Sequence, residues 1–420
     1  MPILKYLVAT VCLFVSCHAQ GSWADWRGPT TDGQTTATAL PLQWSETENV
    51  TWKTPIHDVG HSTPVIWEDQ VWLTTARKDG TALYALCVDK NTGTVVHDLL
   101  VFEVAEPQRI NPSNTYATPS ATIEAGRVYV HYGTFGTACI DTTSGEILWT
   151  RTDLNCDHMQ GPASSPVIFN DLVILHLEGV ADPFIVALDK TSGKTVWRYE
   201  RPGDLYEGIQ GVYIKSYQTP IFIESDGAPQ MISNGALLVT GHVPDTGEEI
   251  WRVRYRDDST ISRIITGHGL LFVNTGGSPG KSELWAIRPG GKGDVTDTHV
   301  VWKMTEDAPH ESSPVLVGDL LYTMSDRGTL TCMEATTGIP VWTEKLRGNH
   351  SASLLATKDR IYFSDKKGNT TVIAPGRSFQ VLATNALDAE LWASPAVAGD
   401  ALLLRSKTHL YRIETSGDGQ

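Results

Sequence analysis

The feature that most constrains this 420-residue chain is that it repeats itself eight times. One unit reads Ser/Thr-Pro, a strand, Gly or Asp, and a second strand ending in an aromatic. Ala-Leu-Asp-x-x-x-Gly and an apolar-Trp pair follow. The clearest copy starts at Ser165-Pro166, passes through Val173-Ile174-Leu175 and Ala187-Leu188-Asp189, and ends with Gly193 and Val196-Trp197. A second runs from Ser313-Pro314 through Leu321-Tyr322 to Glu334-Ala335-Thr336-Thr337-Gly338 and Val341-Trp342. Others start at Thr63-Pro64, Thr118-Pro119, Thr219-Pro220 and Ser394-Pro395, and two degenerate copies at Arg263-Ile264 and Ser353-Leu354.

Alternating apolar residues around Asp/Gly turns predict short half-buried strands, four to a unit. In each turn the Asp bonds local backbone and the Gly takes a positive φ. Successive Trp149, Trp197, Trp251, Trp302 and Trp342 lie 40 to 54 residues apart, the spacing of four-stranded blades around an axis. Their rings are expected to pack between neighbouring sheets. The last unit, Trp392 to Glu414, has no fourth strand, whereas Val50-Thr51-Trp52-Lys53 is a strand without a blade. Pairing the two closes the ring and removes a sheet edge. The expected fold is therefore all-β: one eight-bladed β-propeller of four-stranded antiparallel blades, closed by an N-terminal strand. The expected organisation is a signal peptide at 1–19, an arm at 20–48 wrapping the propeller, the propeller at 49–414, and a disordered tail at 415–420.

A net charge of −15 leaves no basic surplus to neutralise phosphate, which argues against a nucleic-acid binder. The apolar run Leu7 to Val15, after Lys5, is too short to span a bilayer and reads as a secretory signal. Cleavage before Gln20 fits the small residues Cys17 and Ala19, and lipidation at Cys17 is the second reading, for which Phe14 and Val15 match a bacterial lipobox poorly; on either, the protein is expected to be exported, without a transmembrane span. Cys87, Cys139 and Cys332 occupy one equivalent place in three repeats, where a fourth has Ala187, so each is a small buried strand site. No disulfide is expected from sites on separate blades. Cys156 with His158 is a two-donor pair, which is not a metal site, and no metal is expected.

The Ala-Leu-Asp-x-x-x-Gly-x-x-apolar-Trp unit, as in Ala187 to Trp197, resembles the pyrroloquinoline-quinone-type propeller repeat over essentially the whole chain after the signal. The opening Trp26-Arg27-Gly28-Pro29, with Leu40-Pro41, resembles exported bacterial proteins of this type. That superfamily divides into quinone-dependent dehydrogenases and non-enzymatic propellers, among them the lipoprotein subunit of the outer-membrane β-barrel assembly machinery. The dehydrogenases hold their quinone between a Trp floor and adjacent disulfide-bonded cysteines, with Ca²⁺ on carboxylates and an amide. This sequence has no adjacent Cys pair, and no stretch aligns with the calcium or base positions.

In a propeller, eight loops entering the innermost strands converge on the central channel. The residue three before each motif proline, or its equivalent, is His61, Tyr116, Ala163, Tyr217, Ile261, Glu311, Ser351 and Trp392, with His310 and His350 just before two of them. Aromatic and titratable groups converging there suit a small ligand or a sugar. The candidate ligand-binding residues are His61, Tyr116, Tyr217, His310, Glu311, His350 and Trp392; Asp157-His158 is placed near the same face. Gly276-Gly277-Ser278-Pro279-Gly280-Lys281 is a turn between strands, since no helix follows to complete a phosphate loop. The expected function is an exported, non-enzymatic scaffold binding an envelope protein or carbohydrate, periplasmic or outer-membrane-associated, without a cofactor. The alternative is a dehydrogenase of alcohols or sugars using pyrroloquinoline quinone with Ca²⁺.

Overall fold

The computed structural model describes residues 22–277 and 281–415. The expected signal, with Cys17, and most of the expected tail lie outside the described residues. Among the described residues eight sheets follow one another along the chain, each built on four antiparallel strands from the axis outward; the fourth gains a fifth, parallel strand, and the eighth takes its outermost strand from the N-terminus. The third blade comprises Val167–Phe169, Leu172–Leu177, Phe184–Asp189 and Thr195–Glu200. Its two middle strands are buried on both faces, because they are sandwiched between neighbouring blades. The eighth blade takes Val50–Pro55 as its outermost strand, antiparallel to His409–Ile413, with Thr54 opposite Leu410. The N-terminal strand therefore closes the ring.

The repeated Trp residues hold adjacent blades together. The indole N–H of Trp149 donates to Lys190 O (3.1 Å) in the next blade's turn. Trp52 does the same with Lys90 O (3.0 Å), Trp197 with Pro244 O (3.0 Å) and Trp302 with Ala335 O (3.0 Å). Gly193 closes its turn at φ +69°, and a Cβ there would sit 2.7 Å from the Trp149 ring. That position therefore admits only glycine. Trp251 differs: its N–H bonds Gln230 Oε1 within its own blade (2.8 Å). Here the neighbouring turn is replaced by an extension whose Gly293–Asp294 strand pairs parallel with the outer strand Glu249–Arg254. Cys87, Cys139 and Cys332 are buried on third strands, and all four described cysteines are free.

The first part of the arm crosses the channel, and its later part runs along the seventh blade, where Arg360 and Tyr362 donate to Leu40 O and Pro41 O. Trp23 exchanges backbone hydrogen bonds with Ile66 on the innermost strand of the first blade, and Ala24 O accepts from Ile123 N–H on that of the second. The buried Arg27 guanidinium then donates to Leu354 O (2.5 Å) and Pro314 O (3.0 Å) on the opposite side. Arg27 can be buried because these carbonyls, with Asp32 O, accept its N–H groups.

Candidate functional site

The site is built on a ring of hydroxyls, each two residues before an innermost strand. Thr63 N–H donates to Ser120 Oγ (2.8 Å), Ser120 N–H to Ser165 Oγ (3.0 Å) and Ser165 N–H to Thr219 Oγ1 (3.0 Å). Across the ring Arg263 N–H donates to Ser313 Oγ (2.9 Å), Ser313 N–H to Ser353 Oγ (2.9 Å) and Ser353 N–H to Ser394 Oγ (3.0 Å). Arg263 has no hydroxyl to pass on; its guanidinium donates to Pro220 O (3.1 Å) and pairs with Asp25 of the arm. Each link is buried and ties one blade to the next.

Two residues before each hydroxyl position, the chain turns into the channel. His61, Thr118, Ala163, Tyr217, Ile261, Glu311, Ser351 and Trp392 all line one cavity of about 510 Å³. His310 lines it too. Tyr116 does not, and the ring explains why. In the second blade the Thr-Pro pair falls two residues early, so Ser120 supplies the hydroxyl and Thr118 takes the channel position. Tyr116 packs edge-on against Phe135 (centroids 5.2 Å apart) and donates its hydroxyl to Gln108 O (2.6 Å). His350 also lies outside the lining: its Nδ1 is 2.9 Å from Ser364 O and its ring packs beside Phe363.

Asp157-His158 does not line the cavity either. His158 Nε2 accepts Thr134 N–H (3.1 Å) and its Nδ1 faces Cys156 Sγ at 3.6 Å, so both ring nitrogens are engaged. Burial, then Glu178 and Asp157, push the Cys156 thiol well up, which keeps it in the weakly nucleophilic thiol form. Gly277 reaches the lining, while Ser278, Pro279 and Gly280 lie outside the described residues.

Aromatic rings and paired charges stand among the Ser and Thr residues of the lining. The His61 and Trp392 rings stack in parallel, with centroids 4.8 Å apart, and Lys366 Nζ lies 4.0 Å above the Trp392 ring. Loss of water, then Arg405, Lys366 and Lys407, push His61 down to about 3, so its ring is neutral. Lys366 also pairs with Glu311 Oε2 (3.0 Å), and Lys215 pairs with Asp258 Oδ2 (2.6 Å) on another wall. Asn111, Asn114 and Gln160 supply amides, and Trp26 of the arm completes the lining, flanked by the Arg27 and Arg263 guanidiniums.

His310 Nδ1 is 3.3 Å from Asp326 Oδ2. Asp326 Oδ1 accepts the N–H groups of His310 (3.3 Å) and Glu311 (3.0 Å). Burial raises the Asp326 carboxyl, but the His310 ring and these N–H groups outweigh it and hold it below the usual range.

The sequence reading missed Asp326, Lys366, Lys215, Asp258 and Trp26. A signal existed for the first two. Ser325-Asp326-Arg327-Gly328 and Ser364-Asp365-Lys366-Lys367-Gly368 occupy the same turn between second and third strands. That turn opens on the channel side, so its acids and bases belong among the candidates.

A family profile described as outer membrane protein assembly factor BamB matches residues 86–265 and 291–410. No curated protein sequence matches the chain. Among solved structures, BamB from Moraxella catarrhalis is similar at 14% identity and a TM-score of 0.62, covering 88% of this chain and 98% of its own. Quinohemoprotein alcohol dehydrogenase from Comamonas testosteroni is similar at 10% identity and a TM-score of 0.70, covering 96% of this chain and 81% of its own. A europium-containing methanol dehydrogenase gives 10% identity and 0.65, covering 91% and 89%. At such identities these likenesses show the fold alone.

Proposed function

The chain belongs to the family of outer membrane protein assembly factor BamB, and on that premise we propose that it is a non-enzymatic binding scaffold of the bacterial cell envelope. Its channel mouth would receive a segment of an envelope protein. The observation that carries this reading is the character of the mouth. Met159, Ile209 and Tyr213 are exposed apolar side chains on the two loops that contribute Gln160, Tyr213, Lys215 and Tyr217 to the cavity. Lys215–Asp258 and Lys366–Glu311 are matched pairs at the same cavity, and the amides of Asn111, Asn114 and Gln160 in its lining match peptide donors and acceptors. An apolar lip over amides and paired charges suits an extended, uncharged peptide. The family and the apolar run at residues 7–15 support export and a periplasmic or outer-membrane-associated place for it. No helix among the described residues is long and apolar enough to cross a membrane.

The dehydrogenase reading requires a quinone, and the lining fits that group poorly. Cys87, Cys139, Cys156 and Cys332 are separate, free and not among the lining residues, so no cysteine pair is available as a cover. Asp258 is held by Lys215 and Ser259. The His310–Asp326 pair includes an imidazole nitrogen, which Ca²⁺ does not favour.

Two measurements test the reading. Calorimetric titration with pyrroloquinoline quinone and Ca²⁺ is expected to give no heat; tight one-to-one, calcium-dependent binding overturns it. A photo-crosslinking residue at position 213 is expected to capture envelope protein in intact cells. Capture of glycan alone replaces the protein partner with a carbohydrate.

A further inference from the structure

One cluster in the cavity wall is not explained by a scaffold role. His310, Glu311 and Asp326 each place a donor atom within 4.8 Å of the other two. His310 is buried, only 7% exposed, and neither of its ring nitrogens makes a hydrogen bond among the described residues. Asp326 Oδ2 makes none either. It lies 3.3 Å from His310 Nδ1, close enough for charge attraction but misaligned for a hydrogen bond. Buried polar atoms left without a hydrogen bond are costly, so a facing pair of them calls for a shared partner.

We propose that His310, Glu311 and Asp326 form a binding site for a first-row divalent cation, zinc-like in its preference, on the wall of the channel cavity. The His310–Asp326 spacing of 3.3 Å fits, since metal–ligand bonds of about 2.0–2.1 Å at tetrahedral angles set neighbouring donors about 3.3 Å apart, and Glu311, within 4.8 Å of both, closes in when the cation binds. One imidazole and two carboxylates suit Zn²⁺ or its neighbours better than an oxygen-only ion such as Ca²⁺. The backbone N–H groups of His310 and Glu311 fix Asp326 Oδ1, which leaves Oδ2 aimed at the shared point. Two carboxylates against one lysine leave net negative charge. Lys366, partly exposed and already over the Trp392 ring, releases Glu311 when the cation binds. With three protein donors, a fourth position faces the cavity and accepts a carboxylate, carbonyl or water. The proposal does not depend on whether the mouth receives a protein segment.

The test is calorimetric titration of chelator-treated, full-length exported protein with ZnCl₂, alongside Co²⁺ binding followed by visible absorption. Wild type is expected to bind one Zn²⁺ per chain. His310→Ala and Asp326→Asn are expected to weaken binding by about 100-fold or more and to abolish the cobalt band. Lys366→Met, which removes the competing cation, is expected to tighten it by about tenfold. Lys53→Met, at the Lys53–Glu46 ion pair outside the cavity, is expected to leave zinc affinity unchanged. If Asp326→Asn fails to fold, Glu311→Gln, on a partly exposed side chain, takes its place. Unaltered zinc affinity in both Lys366→Met and His310→Ala overturns the site, as does Ca²⁺ displacing Zn²⁺ at equal concentration.

Discussion

Buried neutral histidines set the acid limit of this protein. His131 and His242 are fully enclosed, and burial pushes both down to about 3; for His131 His158 adds to it, and for His242 Arg201 does. An unfolded chain takes up protons at these positions below about 6.5, where the folded chain cannot. The stability they support is therefore present above that value and lost as pH falls from about 6.5 towards 3, at about 1.4 kcal/mol per pH unit per histidine. His131 Nδ1 lies 2.8 Å from Thr137 Oγ1, a contact that an amide can keep. His131→Gln is expected to flatten the loss of stability between pH 6 and pH 4 by about that amount. Denaturant unfolding at a series of pH values checks it, and an unchanged slope sinks the argument. The same scale shows why Asp326 escaped notice in the sequence. It lies 15 residues beyond Glu311, in a turn with no unusual composition, and only the closure of the sixth blade sets it against His310.

Where one blade meets the next, contacts repeat, and repeated contacts were legible. The Trp positions, the Asp-x-x-x-Gly turns and the small cysteine sites all follow from a period that every copy must satisfy in order to stack. Departures were not legible. Trp251 has the same sequence signature as Trp197 but finds its partner in Gln230, because the extension around Gly293–Asp294 replaces the usual turn. In the second blade the proline drifted by two residues, and the proline rather than the hydroxyl served as the marker. The hydroxyl is what the geometry requires, since Ser120 Oγ must accept Thr63 N–H. Two expected outcomes follow at this scale. Gly193→Ala drives a Cβ into the Trp149 ring at a positive φ and is expected to cost about 2–3 kcal/mol, partly relieved by Trp149→Leu. Ser313→Ala leaves the buried Arg263 N–H without its acceptor, at about 1–3 kcal/mol. Thermal melts of the single and double variants check both; strict additivity of Gly193→Ala and Trp149→Leu contradicts the packing account.

The whole ring depends on two N-terminal devices with different tasks. Closure was readable, since one blade lacked a strand and one strand lacked a blade. The crossing of the channel was not. Trp23 to Arg27 belong to no repeat, and their partners at Ile66, Ile123, Pro314 and Leu354 are far away in sequence. The two devices separate by truncation. A chain starting at residue 49 keeps Val50–Pro55 against His409–Ile413 and removes the arm. It is expected to keep the oligomeric state of the intact chain but melt lower, because Trp23 and Arg27 no longer fill the channel and the carbonyls of Pro314 and Leu354 lose their donor. A chain starting at residue 56 leaves the eighth blade with three strands. The backbone groups along the outer side of His409–Ile413 are then unpaired, and Gly93 loses its cover from Trp52. An open edge of that kind recruits a second chain, so this form is expected to dimerise or aggregate. Light scattering with size exclusion, combined with thermal melts, distinguishes the two. Identical behaviour of both truncations would mean that the strand and the arm act as one unit and that closure alone does not hold the ring.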